Sequence, residues 1–228
     1  FQETTAHKLL HFHSTIMTSS LLDMIDSTID FVSKYPQTLL AEIKVSNASN
    51  TKLENEQILH LLKLAFPTEE ESKLVAALMR NGTLVDSMVI THTINEQAHV
   101  IGHVATTPVH YQYENERHNG LCLAPLAIHP QYQRHGIGSK LMHALLAKYR
   151  QNAASKYCYM TVCGDPKYYN RFAFESAYRY GLKCKWEAYP IDAFQIQIFQ
   201  KANFVQPVIP ADGELILVHH AVEFDECT

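Results

Sequence analysis

The sequence predicts an α/β (α+β) fold, a mixed β-sheet flanked by helices. Three observations carry this. An apolar run over residues 121–128 passes through a short glycine loop into a helical pattern that begins at Ser139. Strand-like and helix-like periodicities follow one another along the chain in the order β-α-α-β-β-β-α-β-α-β-β. The 228 residues are 46% hydrophobic, enough to fill a core of ordinary size.

Residues 1–38 read as an N-terminal extension. Within it, Leu21, Leu22, Ile25, Ile29 and Val32 recur at helical spacing over residues 20–34, and Pro36 stops the pattern. This amphipathic helix would pack on the domain or pair with a second subunit, which makes a homodimer one expectation. His7, His11 and His13 lie close together and read as a solvated cluster rather than a metal site. The domain proper is expected over 39–228.

It opens with a strand at 40–46, where Ala41, Ile43 and Val45 alternate with polar neighbours. A helix at 55–65 turns Ile58, Leu61, Leu62 and Ala65 inward, and a second at 69–80 ends at Asn81-Gly82. Strands follow at 84–92 and 98–109 around a turn at Asn95-Glu96. Asn119-Gly120 reads as the close of a longer connection, 108–119, before the strand at 121–128. After the loop come a helix at 139–151 and a strand at 157–162. A short helix then starts at Asp165-Pro166, with Asp as cap and Pro in the first turn. Late strands are expected at 193–199 and 214–219.

Composition narrows the function classes. A net charge of −4 argues against nucleic acid or an anionic membrane as partner, and leaves room for a cationic amine. No apolar run reaches the roughly 20 residues of a membrane span, and no signal peptide is evident at the N-terminus. The five cysteines form no CxxC pair and read as reduced thiols of a cytoplasmic protein that needs no metal.

The loop carries the chemistry. Gln133-Arg134-His135-Gly136-Ile137-Gly138 joins a strand to a helix N-terminus, an arrangement that offers backbone N–H groups and a positive dipole end to a phosphate. It is neither GxxxxGK[ST] nor GxGxxG. It matches Q/R-x-x-G-x-G/A, the signature of the Gcn5-related N-acetyltransferases, which the chain resembles over about residues 40–224. Three segments are similar to the YhbS-like bacterial branch: LAPLAIHPQYQRHGIGSKLM, VCGDPKYYNRFAF, and the pair AFQIQIF and GELILVHHAVEF. Ala173 departs from the branch, where a glycine precedes Phe174.

The resemblance implies the acyl-CoA N-acyltransferase fold, whose sheet splays open between the strand before the loop and the strand after the loop's helix. It implies acetyl-CoA as co-substrate, an amine of a small molecule or protein as acceptor, and direct attack in a ternary complex. Pantetheine would lie along Leu126, Ala127 and Ile128, with the Ile128 N–H near the thioester. Gln133, Arg134, His135, Gly136, Ile137, Gly138 and Ser139 would cradle the pyrophosphate, with Arg134 or Lys140 adding charge. Tyr169 aligns with the family's proton donor to the departing thiolate; a structural role against the cofactor is the alternative. A phenol suits that task, with a pKa of roughly 10. No carboxylate lies in 120–129, so base candidates are His103, His110, His129, Glu114 and Glu116, or none. Tyr111, Tyr113, Glu114 and Glu116 are candidates for the acceptor side. The missing strand carboxylate also keeps open a non-catalytic acyl-CoA-binding regulatory domain.

Overall fold

The computed structural model describes residues 43–94, 96–151, 155–186, 190–208 and 213–226. The expected 20–34 helix, the histidines at 7, 11 and 13, and the boundary at 38/39 lie outside them.

Nine strands alternate with helices among the described residues. Strand β1 (Ile43–Asn47) precedes helices α1 (Lys52–Ala65) and α2 (Glu70–Asn81). Thr51 caps α1 by accepting from the Glu54 N–H at 3.3 Å. The Thr51-x-x-Glu54 spacing is a helix-start signal, so α1 begins a turn earlier than its apolar stripe indicates. Gly82 ends α2 in the left-handed conformation, φ 66°, as its sequence predicts. Then come β2 (Asp86–Ile94), β3 (Gln97–Tyr113), β4 (Glu116–Ile128), α3 (Ile137–Arg150), β5 (Tyr159–Cys163) and the one-turn helix α4 (Pro166–Tyr169). Short strands β6 (Glu175–Ser176) and β7 (Leu182–Lys183) were not expected from the pattern. Strand β8 (Phe194–Ile198) was. The expected 214–219 strand shrinks to β9 (Ile216–Leu217), which pairs with β7 in a separate two-stranded sheet. Helix α5 (Glu223–Glu226) closes the chain described.

The main sheet has seven strands in the order β1-β2-β3-β4-β5-β8-β6. Helix α3 covers one face, where Leu141, Met142, Leu145 and Leu146 meet Met88, Ile90, Val104, Leu121 and Met160. Helices α1 and α2 cover the other, where Ile58, Leu61, Leu62 and Val75 meet Val89, Val100 and Ala127. A further cluster, around Tyr111, Tyr159, Cys122, Phe194 and Val218, anchors the C-terminal segment.

The connection expected at 108–119 is not a loop. Strands β3 and β4 run on as one long hairpin, with a tight turn at Glu114 and Asn115, both at positive φ. Asn119 and Gly120 sit inside β4, opposite His110 and Val109. Asn-Gly is a turn dipeptide by local preference, but packing decides here. A Cβ on Gly120 would lie 2.3 Å from the buried Tyr159 ring, so the glycine makes room for an aromatic side chain.

Two features open the sheet. Val104 pairs with Leu126 and Thr106 with Leu123, so Ala124 and Pro125 together oppose Ala105 in a β-bulge. Pro125, which has no N–H, was the sequence signal for it. The parallel ladder between β4 and β5 consists of Leu121 with Met160 and Cys122 with Thr161. Beyond that ladder β4 continues to Ile128, leaving a gap.

Candidate active site

The gap's β4 wall follows from strand geometry. The His129 N–H bonds to the Ile101 carbonyl of β3 at 2.8 Å. Backbone groups alternate between the two edges of a strand, so Leu126 and Ile128 present theirs to the gap, while Ala127 faces β3 opposite His103. Ala127 also turns its side chain into the core under α1, 1% exposed. Its expected place along the cofactor is therefore that of a spacer between Leu126 and Ile128.

At the end of β4, His129 caps a short 3-10 turn (Pro130–Tyr132) by accepting from the Gln131 N–H at 3.3 Å. The Gln133 carboxamide donates to the Ile128 carbonyl at 3.0 Å, tying the loop to the strand. Arg134 (φ 64°) and Gly136 (φ 78°) both take the left-handed conformation. Gly136 is the residue before α3 and has open space around its Cβ position. With no side-chain cap, the N–H groups of Ile137, Gly138 and Ser139 have no acceptor within the helix. The first bond of the helix is Lys140 N–H to Gly136 O, 2.9 Å. Such a row of N–H groups at a positive dipole end is an anion site.

The loop residues divide by role. Ile137 buries its side chain under the sheet, 2% exposed, so only its backbone serves the loop. Gly138 is needed for closeness: a Cβ there would lie 2.8 Å from the Tyr168 hydroxyl and 3.5 Å from Ile128 Cγ1. His135 Nε2 is shielded from solvent without a hydrogen-bond partner. Lys140 reaches toward the Ile43 carbonyl of β1 at 3.5 Å, while Arg134 is exposed in the loop.

Facing the gap, β5 ends at Cys163, and Gly164-Asp165 leads into α4. Asp165 caps α4 by accepting from the Lys167 N–H at 2.9 Å. The Tyr169 ring lies directly over Gly164, where a Cβ would come within 2.4 Å of it. Phe174 and Tyr168 hold the ring edge-on, with centroids at 5.7 and 4.9 Å. Burial raises the Tyr169 pKa, so the phenol keeps its proton throughout the neutral range. The buried Gln195 donates to the Gly164 carbonyl at 3.1 Å and fixes this corner. Sequence reasoning missed Gln195, which becomes a neighbour only through the pairing of β5 with β8. Arg171 covers the Tyr168 ring at 4.6 Å and donates to the Tyr168 carbonyl, a surface role. Ala173 takes the left-handed conformation, φ 65°, that a glycine would take without strain.

The base candidates scatter. His103 is fully buried on β3, on the far side of β4 from the gap. Its Nε2 meets the Ser87 hydroxyl at 3.0 Å, and burial pushes its pKa down to about 3. His110 stacks on His219, 5.0 Å between centroids. It pairs with Asn119, roughly 20 Å up β4 from Leu126 at strand rise. Glu114 and Glu116 lie at the hairpin tip, farther still. Tyr111 is fully buried, with its hydroxyl on the Val205 carbonyl, and so belongs to the core rather than the acceptor side. Tyr113 accepts from the Val208 N–H at 3.2 Å. His129 alone stands at the mouth of the gap, and it is spent on its cap. No group of three or more metal-ligating side chains occurs among the described residues.

A family model described as the acetyltransferase (GNAT) family matches residues 55–174. The chain belongs to the GNAT family. The uncharacterized N-acetyltransferase YhbS of Escherichia coli K12 is 34% identical over 136 residues, 60% of this chain and 76% of that relative. A crystal structure of E. coli YhbS in complex with CoA superposes with a TM-score of 0.64 at 28% identity, covering 80% of this chain and 91% of the other. A GNAT acetyltransferase from Brucella melitensis with acetyl-CoA gives 0.58 at 22% identity, covering 80% and 98%, and shares the fold. The GNAT match runs from α1 through Phe174 and so takes in the gap, the loop and Tyr169.

Proposed function

We propose that this chain transfers an acetyl group from acetyl-CoA to a primary amine of a small molecule or protein. Membership of the GNAT family supports the acetyltransferase class, and two solved relatives carry CoA or acetyl-CoA. The observation that carries the reading is the gap beyond Leu121/Met160, edged by the peptide groups of Leu126 and the N–H of Ile128 and ended by the α3 N-terminus.

In this reading pantetheine completes the sheet as a pseudo-strand on β4. The N–H groups of Gly136 through Ser139 hold the pyrophosphate, and Gly138 lets it approach. Ile128 adjoins Gly138 at the pyrophosphate end, so the thioester lies further back, and the Leu126 N–H rather than that of Ile128 polarises its carbonyl. The neutral amine attacks the carbonyl carbon, the C–S bond breaks, and Tyr169 gives its proton to the sulfur. The acceptor loses its proton to solvent, since the one candidate at the mouth of the gap, His129, has its Nδ1 lone pair taken by the Gln131 N–H. The absence of a membrane-length apolar helix among the described residues fits a cytoplasmic enzyme.

Tyr169→Phe tests the chemistry. With a panel of primary amines and detection of released CoA thiol, turnover should fall by about 100-fold while acetyl-CoA affinity stays within threefold. Full turnover in Tyr169→Phe would reduce Tyr169 to a packing role. Acetyl-CoA binding with no turnover on any amine by the wild-type protein would favour a regulatory acyl-CoA-binding domain.

A further inference from the structure

Segment 216–226 runs over the sheet and is fastened at a few points. Strand β9 pairs with β7 through Leu182 with Ile216 and Lys183 with Leu217. His219 then exchanges both backbone hydrogen bonds with His110 of β3, at 2.7 and 3.2 Å, and the two rings stack at 5.0 Å. The next residue, His220, enters a box of aromatic rings: Trp186 at 4.7 Å, Phe224 at 5.7 Å and Phe194 at 6.2 Å between centroids. Glu223 of α5 fastens the far end by accepting from Asn81 at 3.1 Å and from the Thr83 hydroxyl.

His220 is the weak point of this arrangement. Both ring nitrogens are shielded from solvent, and among the described residues neither finds a hydrogen-bond partner of ordinary geometry. A neutral imidazole bears this at modest cost; an imidazolium in an aromatic box does not. The neighbouring charges do not help it. Lys185 and His219 oppose a further positive charge, and the Val218 carbonyl favours it only in part. The two carboxylates of α5 are engaged, Asp225 with Lys185 and Glu223 with Asn81 and Thr83. The Cys184 thiol is turned to the Trp186 carbonyl at 3.4 Å. Around the His110–His219 stack, Arg117 adds a further positive charge.

We propose that segment 216–226 is an acid-sensitive latch, docked while His220 is neutral and released from β3, β7 and the aromatic box when His220 takes up a proton. The docked ring has its pKa lowered by burial to about 4, and the released ring returns to about 6.5. The released state therefore binds the extra proton. Docking is whole above about 6.5 and weakens as pH falls, so the opening equilibrium should rise about 20-fold from pH 7 to pH 5. Charging the His110–His219 stack acts in the same direction. The latch borders the active site. Phe194 pairs with Cys163, and the following Gly164 N–H bonds to the Ala193 carbonyl at 3.0 Å, so release uncovers β8 beside the corner that carries Tyr169.

The test uses the whole chain without acyl-CoA or amine. Hydrogen exchange is followed by mass spectrometry at pH 7, 6 and 5, corrected for the intrinsic pH dependence of amide exchange. Peptides from 214–226 should be less protected than those from β2–β4 at every pH, which marks a local opening. Their protection should fall by about 20-fold or more between pH 7 and pH 5. In His220→Phe, and in His220→Leu should the larger ring disturb folding, that fall should shrink by about 20-fold. Protection of 214–226 that is unchanged from pH 7 to pH 5 would overturn the proposal. So would a fall of the same size in both variants, or protection equal to that of β2–β4 throughout, which would mean that the segment opens only when the whole chain unfolds.

Discussion

Replacing Gly164 by alanine separates the position of Tyr169 from its chemistry. The added Cβ would lie 2.4 Å from Tyr169 Cε2, where ordinary contact begins at 3.4 Å, so the ring must retreat by about 1 Å. Phe174 and Tyr168 wall the ring, so part of the strain passes to the β5–α4 corner held by Gln195. Overpacking of this kind costs about 1–3 kcal/mol. For a chain of this size that is a fall in Tm of roughly 2–12 °C. A misplacement of about 1 Å at a proton donor can cost about 100-fold in rate. Turnover at saturating acetyl-CoA should drop by that order. Acetyl-CoA affinity, read by isothermal titration, should change by less than about threefold, because the loop keeps its backbone N–H groups. The double variant Gly164→Ala/Tyr169→Phe should be no slower than Tyr169→Phe, since both act through one hydroxyl. Near-wild-type turnover in a Gly164→Ala protein that shows the Tm loss would refute Tyr169 as the donor.

Four further outcomes follow from the same structure. Gly136→Glu puts a side chain at φ 78° and a carboxylate beside the phosphates, so acetyl-CoA affinity should fall about 100-fold or more in titration, the backbone strain alone costing about 1–2 kcal/mol. Ala173→Gly relieves the left-handed conformation at φ 65° and should stabilise the protein by about 1 kcal/mol in urea unfolding, with turnover unchanged. Asp86 is buried and accepts from Thr106, Lys148 and the Tyr149 hydroxyl, tying β2 and β3 to α3; Asp86→Ala should cost about 2–4 kcal/mol in the same assay, because the buried Thr106 and Tyr149 hydroxyls lose their acceptor while the half-exposed Lys148 turns to solvent. Burial lowers His103 to about 3 and His220 to about 4. The unfolded chain then binds the extra protons, so stability is whole above the ordinary histidine pKa of about 6.5 and is lost as pH falls. Between pH 7 and pH 5 each should remove about 2 kcal/mol, and His103→Asn should remove its share of that slope.

Legibility in the sequence tracked how local each interaction is. The loop at 133–138, the Gly82 helix end and the Asp165-Pro166 cap were readable because their conformations are set by residues a few positions apart. The Ala124-Pro125 bulge and the Thr51 cap carried signals of the same local kind that the apolar pattern overshadowed. Gly120 misled because the ring that excludes its Cβ belongs to Tyr159, on another strand. The base candidates misled for a related reason: spacing along the chain said nothing of which edge of β4 each would face, or how far up the hairpin.

By itself, then, the sequence determined the strands with their flanking helices, the glycine loop before α3 and the capped start of α4, since periodicity, backbone freedom and capping act over a turn or a strand. Tertiary structure alone decided that Leu126 and Ile128 rather than Ala127 face the gap, and that Gln195 supports the corner under Tyr169. It also decided that Asp86 joins β2 to Lys148 and Tyr149. These are contacts between strands and helices distant in sequence, where burial and register choose the neighbour and no local preference encodes it.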